Sequence, residues 1–469
     1  MSPLQIRDPV AARDWLAAGL ALVRVGSPGP PAIRQGTPWL RAMADTSLSL
    51  PPAGVLVDLG RLLTQPNARV EHRSVGVLDK LLRSYEDIVI GRVAIDALRE
   101  SASDAIHALP PRLRPVAIAL FVEQLLDRVG FSGTASLDPG ALRELDRSTG
   151  EEWVVRGSAA LHGPAAELLS AGYRQLIGCF QRTGRLLTPA DIAVLEQLEI
   201  LELRSERLAL RQVVDATSGL CRGLPRRMKP SRRRAGHVST RLDDESAYPV
   251  GGFAAITTSG TLENLVPTEL AFMERGHEVD LFDIRYAEGE LLYYTRDETA
   301  FVRPRRRITL ALSADLDGLR HRDPGLPYQT LILVLALVRS LIEQLVRWLD
   351  QQELSVRIAL PAHSLAEESR ILSLATAEWR EAGLVTIAHL DASSLGRLLE
   401  EDTRRAPTDV VWIGSHAADQ LDFPGLFQWS LVAQPLPVLT GPFGGRAHQT
   451  EDPWAAWRDT TRKLLSDLV

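Results

Sequence analysis

The sequence predicts an α/β protein in which a doubly wound, largely parallel sheet follows a mainly helical N-terminal region. From about residue 299 onward, short apolar, strand-like segments alternate with helical segments, a pattern typical of parallel sheets with crossover helices. Before about residue 165, apolar residues recur at intervals of three and four, which indicates helices with one buried face.

Composition limits the classes of function. The chain has 469 residues, 45% hydrophobic and 24% charged, values typical of globular proteins. Its net charge of −6 excludes a general attraction to nucleic acid or anionic membrane. Cys179 and Cys221 are the two cysteines, too few for a disulfide framework. We find neither a signal-peptide pattern nor an apolar run long enough to span a membrane, and we expect a cytoplasmic protein.

The N-terminal part divides into two predicted segments. Residues 1–165 form the mainly helical region, with helical periodicity clearest over residues 74–129. Residues 166–221 form a helical connector. Within the connector, Thr188-Pro189-Ala190-Asp191 has the features of a helix start, and the pattern predicts one helix from Pro189 to about Thr217.

Residues 222–247 form a predicted basic, flexible loop. Residues 222–241 contain eight basic residues and no acidic one, and prolines and glycine interrupt them. Such a run suits a solvated linker, a contact for an acidic protein surface, or a contact for nucleic-acid phosphates. Aromatic residues that could stack on bases are missing from it.

Residues 248–298 form a turn-rich collar, and residues 299–469 form the predicted α/β domain. Its first strand is 308–312, followed by the loop 313–318 and a long helix over 327–349. An acidic, serine-containing loop at the carboxyl end of a buried strand lies where open α/β sheets bind ligands.

The later elements alternate in type. The predicted order is strand 354–360, helix 366–382, strand 383–390, helix 395–403, strand 409–413, a proline-interrupted edge strand within 431–439, and a closing helix 454–468. Proline favours an edge position because it donates no hydrogen bond to the ladder.

Catalytic motifs are weak. Neither a P-loop nor a Gly-x-Gly-x-x-Gly follows a strand, so we do not expect the chain to hydrolyse ATP. His363, Ser364 and His416 lie at predicted strand ends and make a hydrolase one of the hypotheses. The Gly-x-Ser-x-Gly elbow is absent, and the pattern favours a protein that is not an enzyme.

Several motifs carry a resemblance: Gly251-Gly252-Phe253, Ser259-Gly260-Thr261-Leu262, Pro267-Thr268-Glu269-Leu270 and the run from Glu288 to Asp297. From about Tyr248 to its C-terminus, the chain resembles von Willebrand factor A (vWA) domains of bacterial proteins. These proteins are paired with MoxR-type or related AAA+ ATPases in ternary or conflict-type systems.

The resemblance implies a metal site with an altered pattern. Such domains usually bind Mg²⁺ or Mn²⁺ through Asp-x-Ser-x-Ser after the first strand. Here the segment reads Ser313-Ala314-Asp315-Leu316-Asp317, with Asp391 after the third strand as a later ligand. Oxygen ligands suit these hard cations. The alternative is that Ser313, Asp315 and Asp317 only cap the loop, as short polar residues do.

The resemblance further implies an adaptor that recruits an AAA+ ATPase or its client. The residues expected to bind the partner lie in the basic loop: Arg226, Arg227, Lys229, Arg232, Arg233 and Arg234. The alternative is a nucleic-acid-binding protein that uses residues 222–241.

Overall fold

The structure, a computed structural model, divides into two compact units, Met1–Asp215 and Ala216–Val469. It describes residues 4–46, 49–65, 68–137, 139–147, 150–201, 203–226, 253–258, 265–273, 279–296, 306–349, 354–405, 408–419, 423–442 and 450–469. Residues 166–215 of the predicted connector belong to the first unit, and residues 216–221 belong to the second.

The first unit is mainly helical, as predicted. Its helices are α1 (Pro9–Ala21), α2 (Pro30–Thr46), α3 (Ala53–Thr64), α4 (Asp79–Tyr85), α5 (Gly91–Ala94), α6 (Arg99–Ala108), α7 (Arg114–Val129), α8 (Pro139–Arg147), α9 (Gly150–Ala160), α10 (Pro164–Arg182), α11 (Pro189–Glu196) and the part of α12 (Arg204–Leu220) up to Asp215. A π-helical turn, Glu86–Ile90, joins α4 to α5. Two short strands, β1 (Leu4–Ile6) and β2 (Ala135–Leu137), pair in parallel.

The core of this unit surrounds α3, in which every residue from Ala53 to Leu63 is buried. A helix that is buried on all sides needs neighbours on every face. Helices α1, α2, α6 and α7 pack around it.

The prediction of one helix from Pro189 to Thr217 is wrong. The chain forms α11, turns, and then forms α12. Asp191 at the start of α11 lies 3.5 Å from the guanidinium of Arg211 in α12. In a continuous helix these residues would lie about 30 Å apart. The turn is therefore required by the tertiary contact, which local periodicity does not reveal.

The second unit contains the collar and the α/β domain. The collar consists of β3 (Phe253–Thr257), a 3-10 helix (Pro267–Phe272), α13 (Leu281–Ala287) and β4 (Tyr293–Arg296). The domain consists of β5 (Arg306–Leu312), a 3-10 helix (Ala314–Leu319), α14 (Thr330–Trp348), β6 (Leu354–Pro361), α15 (Ala366–Ala375), α16 (Ala377–Glu381), β7 (Val385–Leu390), α17 (Ala392–Arg405), β8 (Thr408–Gly414), β9 (Leu426–Val432), β10 (Val438–Thr440) and α18 (Pro453–Leu468).

The main sheet has the order β10-β9-β8-β5-β6-β7. Strands β9, β8, β5, β6 and β7 are parallel, and β10 pairs antiparallel with β9 at the edge. The chain starts in the centre with β5, adds β6 and β7 on one side, and then adds β8 and β9 on the other. This order confirms the predicted doubly wound sheet.

Helix α14 connects β5 to β6 and is buried along most of its length. Its charged residues Arg339, Glu343 and Arg347 follow one another at intervals of four. Glu343 lies 3.2 Å from Arg339 and 3.9 Å from Arg347. The guanidinium of Arg339 also lies over the Trp379 ring, 5.5 Å from its centre, which is within the range of about 6 Å for a cation–π contact.

Two predicted boundaries in this domain are wrong. The helix 366–382 breaks at Thr376, whose hydroxyl donates to the Leu372 carbonyl at 2.7 Å, and the chain continues as α16. The strand-like segment 431–439 is not one edge strand. Its first residues end β9, an internal strand, and after a reversal containing Pro435 and Pro437 the chain forms β10. Proline therefore marks the reversal between strands.

Membrane insertion by a helix finds no support in the described part of the chain. None of the helices there combines the length and the low polarity that a membrane-spanning segment needs.

Candidate functional site

The carboxyl ends of β5 and β8 meet at the point where the strand order reverses. The two strands are hydrogen-bonded neighbours, and the Ser313 amide continues the ladder by donating to the Ile413 carbonyl at 2.8 Å. Ligands of open α/β sheets bind at this topological switch point, so it is the first place to look for a site.

A cluster of polar residues occupies this position, and we call it the switch-point cluster: Ser313, Asp315, Gly414, Ser415 and His416. Oδ2 of Asp315 accepts hydrogen bonds from the Ser415 amide at 3.0 Å and from the Ser415 hydroxyl at 2.6 Å. Nδ1 of His416 lies 3.1 Å from the same oxygen. The loop after β5 is thus tied to the loop after β8.

Gly414 makes this close approach possible. A Cβ at position 414 would lie 3.1 Å from Cβ of Ser313, 3.2 Å from the His416 carbonyl and 3.3 Å from Oδ1 of Asp315. These distances are shorter than ordinary van der Waals contacts. A residue without a side chain lets the two loops come together.

The polar contacts stabilise the ionised form of Asp315. Partial burial raises its pKa, but contacts with Ser415, Ser313 and His416 outweigh that effect and lower the pKa to about 2. Asp315 is therefore a carboxylate at neutral pH, and its charge is matched by donors from the protein itself.

The other two predicted metal ligands have partners of their own. Asp317 lies 3.0 Å from Arg320, which also contacts Glu367 and Glu368. Asp391 caps α17 by accepting from the Ser394 amide at 2.6 Å. Hydrogen bonds from Ser394 and Ser393 lower the pKa of Asp391 to about 2.

The strand order keeps Asp391 apart from the cluster. It follows β7, and β6 lies between β7 and β5, so the strand axes are about 10 Å apart. The structure therefore brings Ser313 and Asp315 together with Ser415 and His416 and leaves Asp391 at another position on the edge.

These residues do not fit the divalent-cation site that the resemblance implies. A Mg²⁺ or Mn²⁺ site needs several oxygen ligands directed at one point. Here the amide and the hydroxyl of Ser415 both donate to Oδ2 of Asp315, so that oxygen is already used within the protein, and Asp317 and Asp391 are held by other partners. Within the described part of the chain, no group of three or more histidine, cysteine, aspartate or glutamate residues could hold a metal ion.

The cluster also differs from a Ser-His-Asp triad. Nδ1 of His416 lies 2.7 Å from the Ser415 hydroxyl and 3.1 Å from Asp315, so one ring nitrogen contacts both residues. In a triad, the histidine uses one nitrogen for the serine and the other for the acid. The remaining candidates, His363 and Ser364, lie after β6, and the Ser364 hydroxyl has no hydrogen-bond partner among the described residues.

Arg226 is the only predicted partner-binding residue that the structure describes. It is exposed, and its carbonyl accepts a hydrogen bond from Nε1 of Trp348 at 3.2 Å. Arg227, Lys229, Arg232, Arg233 and Arg234 lie outside the described residues.

The sequence patterns did not predict that Ser415 and His416 lie beside Asp315. From sequence alone, His416 is a candidate only for hydrolysis, and Asp391 is the residue predicted to complete a metal site. The available signal was the position of Ser415 and His416 after the fourth strand, because in a doubly wound sheet the fourth strand returns to pair with the first.

Two comparisons with protein families cover most of the chain. Residues 249–434 match the vWA domain found in the FtsH ternary systems. Residues 70–235 match the N-terminal helical region fused to that vWA domain. The chain is a vWA-like protein of the FtsH ternary systems. No curated protein and no solved structure matches it.

The two family matches include the main structural features of this vWA-like protein. The switch-point cluster and the collar lie within the vWA match, and the helical match includes residues 70–215 of the first unit. Membership of a ternary system implies that this protein works together with other proteins of that system.

Proposed function

We propose that this vWA-like protein is a non-enzymatic adaptor of the cytoplasm that binds an AAA+ ATPase of its ternary system. Family membership supports a role among partner proteins. The switch-point cluster supports a binding role over catalysis, because its histidine lacks the bridging geometry of a triad.

The observation that carries the proposal is the hydrogen-bonded, polar edge formed by the ends of β5 and β8. Hydrogen bonds within the protein hold the two loops together, so a partner would meet a preorganised surface. From that surface the side chains of His416 and Asp317 extend into solvent, with exposed fractions of 87% and 59%. Both side chains are available to a protein partner.

We further propose that binding at this edge does not use Mg²⁺ or Mn²⁺. The N–H and O–H groups of Ser415 donate to the Asp315 carboxylate and stabilise its negative charge, as a bound cation would otherwise do. Isothermal titration calorimetry with either cation is expected to show no binding to the wild-type protein. Binding heat that disappears in the variant Asp315→Ala/Asp317→Ala would contradict this proposal.

The experiment that tests the adaptor role is affinity capture with the full-length chain from its native host, with and without a non-hydrolysable ATP analogue and nuclease. We expect capture of an AAA+ ATPase. The test variants are His416→Glu and Asp317→Arg, which alter exposed side chains at the carboxyl edge. We expect each to reduce capture at least about tenfold, as loss of a central contact does.

The matched control is Arg404→Glu. Arg404 is an exposed residue near the end of α17, which leads into the amino end of β8, so the change should leave capture unaffected. Equal effects of the control and the edge variants would contradict a specific role for the carboxyl edge. Recovery of nucleic acid without a protein partner would instead favour nucleic-acid binding.

The basic loop is part of the same proposal. Charge reversal at Arg226, Arg227, Lys229, Arg232, Arg233 and Arg234 is expected to weaken capture and to reduce its dependence on salt, because complementary charges mainly accelerate association. Unchanged capture at low salt would exclude the loop from the interface.

A further inference from the structure

Helix α13 in the collar has two of its aliphatic residues on the outside. Phe282 and Arg285, three residues apart and therefore on one face, are half-buried, whereas Leu281 and Ile284 are exposed. Amphipathic helices of globular proteins normally turn their apolar face inward. In α13 an arginine faces the protein while two aliphatic side chains face solvent.

Two contacts hold the helix in this orientation. The guanidinium of Arg285 lies 3.0 Å from the carboxylate of Glu269, which is buried. The same guanidinium stacks on the Phe272 ring at 4.5 Å from its centre. Because both partners belong to the 3-10 helix Pro267–Phe272, they attach α13 to that turn through Arg285.

The result is an exposed apolar side of α13, formed by Leu281 and Ile284, that we call the collar face. Leu281 is 52% exposed and Ile284 is 46% exposed, and Leu270 and Met273, in and just after the 3-10 helix that Arg285 contacts, are 52% and 55% exposed. Large apolar residues that are exposed next to one another mark interaction sites, whereas single exposed ones are common on any protein surface. Methionine is also enriched in protein interfaces.

The charges around the collar face indicate its partner. The segment from Val279 to Glu290 contains four acidic residues, Asp280, Asp283, Glu288 and Glu290. Its one basic residue, Arg285, is paired with Glu269. An apolar surface with an acidic border suits a segment that has an apolar stripe flanked by lysine or arginine.

We propose that the collar face binds a basic amphipathic helix of a partner protein. This surface is separate from the switch-point cluster in the residues that form it, so the proposal does not depend on the adaptor mechanism described above. It assigns the collar a second recognition role, in which leucine-like side chains pack on Leu281 and Ile284 and basic side chains face the acidic border.

The test uses the full-length chain and a fluorescently labelled synthetic peptide of about 18 residues, with leucine at helical spacing and lysine elsewhere. Its counterpart has glutamate in place of lysine. Fluorescence anisotropy should show binding of the lysine peptide and at least about tenfold weaker binding of the glutamate peptide. Equal affinity for both peptides would overturn the charge argument.

Two variants and one control locate the binding surface. Leu281→Glu/Ile284→Glu should weaken lysine-peptide binding at least about tenfold, and Glu288→Lys/Glu290→Lys should weaken it with a smaller salt dependence. The control Leu436→Glu/Val438→Glu changes two apolar residues with similar exposure elsewhere in the same unit and should bind normally. All of these residues are exposed, and circular dichroism would verify that each variant folds.

Two results would overturn the proposal. The first is unchanged peptide binding by Leu281→Glu/Ile284→Glu. The second is a dimer in sedimentation velocity that this variant dissociates, because the face would then bind a second copy of the chain. Loss of ATPase capture by His416→Glu, with peptide binding intact, would separate the two surfaces.

Discussion

At the scale of single residues, Asp58 and Asp315 show that the surroundings can shift the pKa of an aspartate in opposite directions. Asp58 in α3 is fully buried, and burial raises its pKa to about 7 although the Arg24 and Val25 amides and the Tyr85 hydroxyl donate to it. Asp315 is only partly buried, and donors lower its pKa. Desolvation dominates in the first case and polar contacts dominate in the second.

The raised pKa of Asp58 predicts that the helical unit loses stability as pH rises from about 4 to about 7. Unfolded Asp58 ionises near 3.8, whereas the folded form ionises near 7, so deprotonation favours the unfolded chain in this window. The total effect is about 4 kcal/mol. Hydrogen exchange at the Arg24 and Val25 amides, followed against pH, would measure it.

Asp58→Asn should flatten this dependence. Asparagine does not ionise, and its oxygen can still accept from the two backbone amides. The control Asp104→Asn changes an exposed carboxylate on α6 and should keep the wild-type profile. An unchanged slope in Asp58→Asn would show that another group is responsible.

Gly414 predicts a second effect of a single residue. Gly414→Ala should destabilise the vWA-like domain by about 1–3 kcal/mol, because the new methyl group would press on Ser313 and Asp315. Gly396→Ala is the matched control in α17, where a Cβ meets nothing within 4 Å. It should gain about 0.5–1 kcal/mol from higher helix propensity. Urea unfolding of both variants would contradict the argument if their order were reversed.

At the scale of elements, local patterns predicted most helices and strands but not where tertiary contacts interrupt them. Strands β5, β6, β7 and β8 lie close to their predicted positions because their apolar runs are bounded by charged or turn-forming residues. The break between α11 and α12 was missed. Its cause is the contact of Asp191 with Arg211. These two residues are too far apart in the sequence for a pattern of near neighbours to reveal their contact.

Helices α1 and α9 pack so closely at Gly157 that a larger residue there should lower the stability of the helical unit. A Cβ at Gly157 would lie 2.5 Å from the Ala17 carbonyl oxygen and 3.0 Å from Cβ of Ala21. Gly157→Ala should therefore destabilise the helical unit by about 1–3 kcal/mol despite the better helix propensity of alanine.

Gly178→Ala in α10 is its control. There the nearest atom is the flexible guanidinium of Arg182 at 3.5 Å, so the variant should be neutral or stabilised by up to about 1 kcal/mol. Thermal unfolding followed by circular dichroism compares the two. Equal stability of both variants would show that α1 and α9 separate to accept the methyl group.

At the scale of the whole molecule, the division into two compact units predicts separate folding. The buried apolar cluster of the helical unit runs from Ile6 to Leu198 and includes only residues of that unit. A fragment of residues 1–215 should therefore unfold cooperatively in urea, with the pH dependence assigned to Asp58. A gradual transition without that dependence would show that the unit needs the rest of the chain.

The sequence by itself determined the fold class, the order of most elements and the position of the loop from Ser313 to Asp317 at a strand end. These features follow from periodicity and turn residues, which act over a few neighbours. The tertiary structure alone decided which loops meet. Strand order placed Ser415 and His416 beside Asp315 and kept Asp391 apart. The sequence could not show this, because the pairing of strands that are distant in the chain depends on packing of the whole sheet and not on the pattern of neighbouring residues.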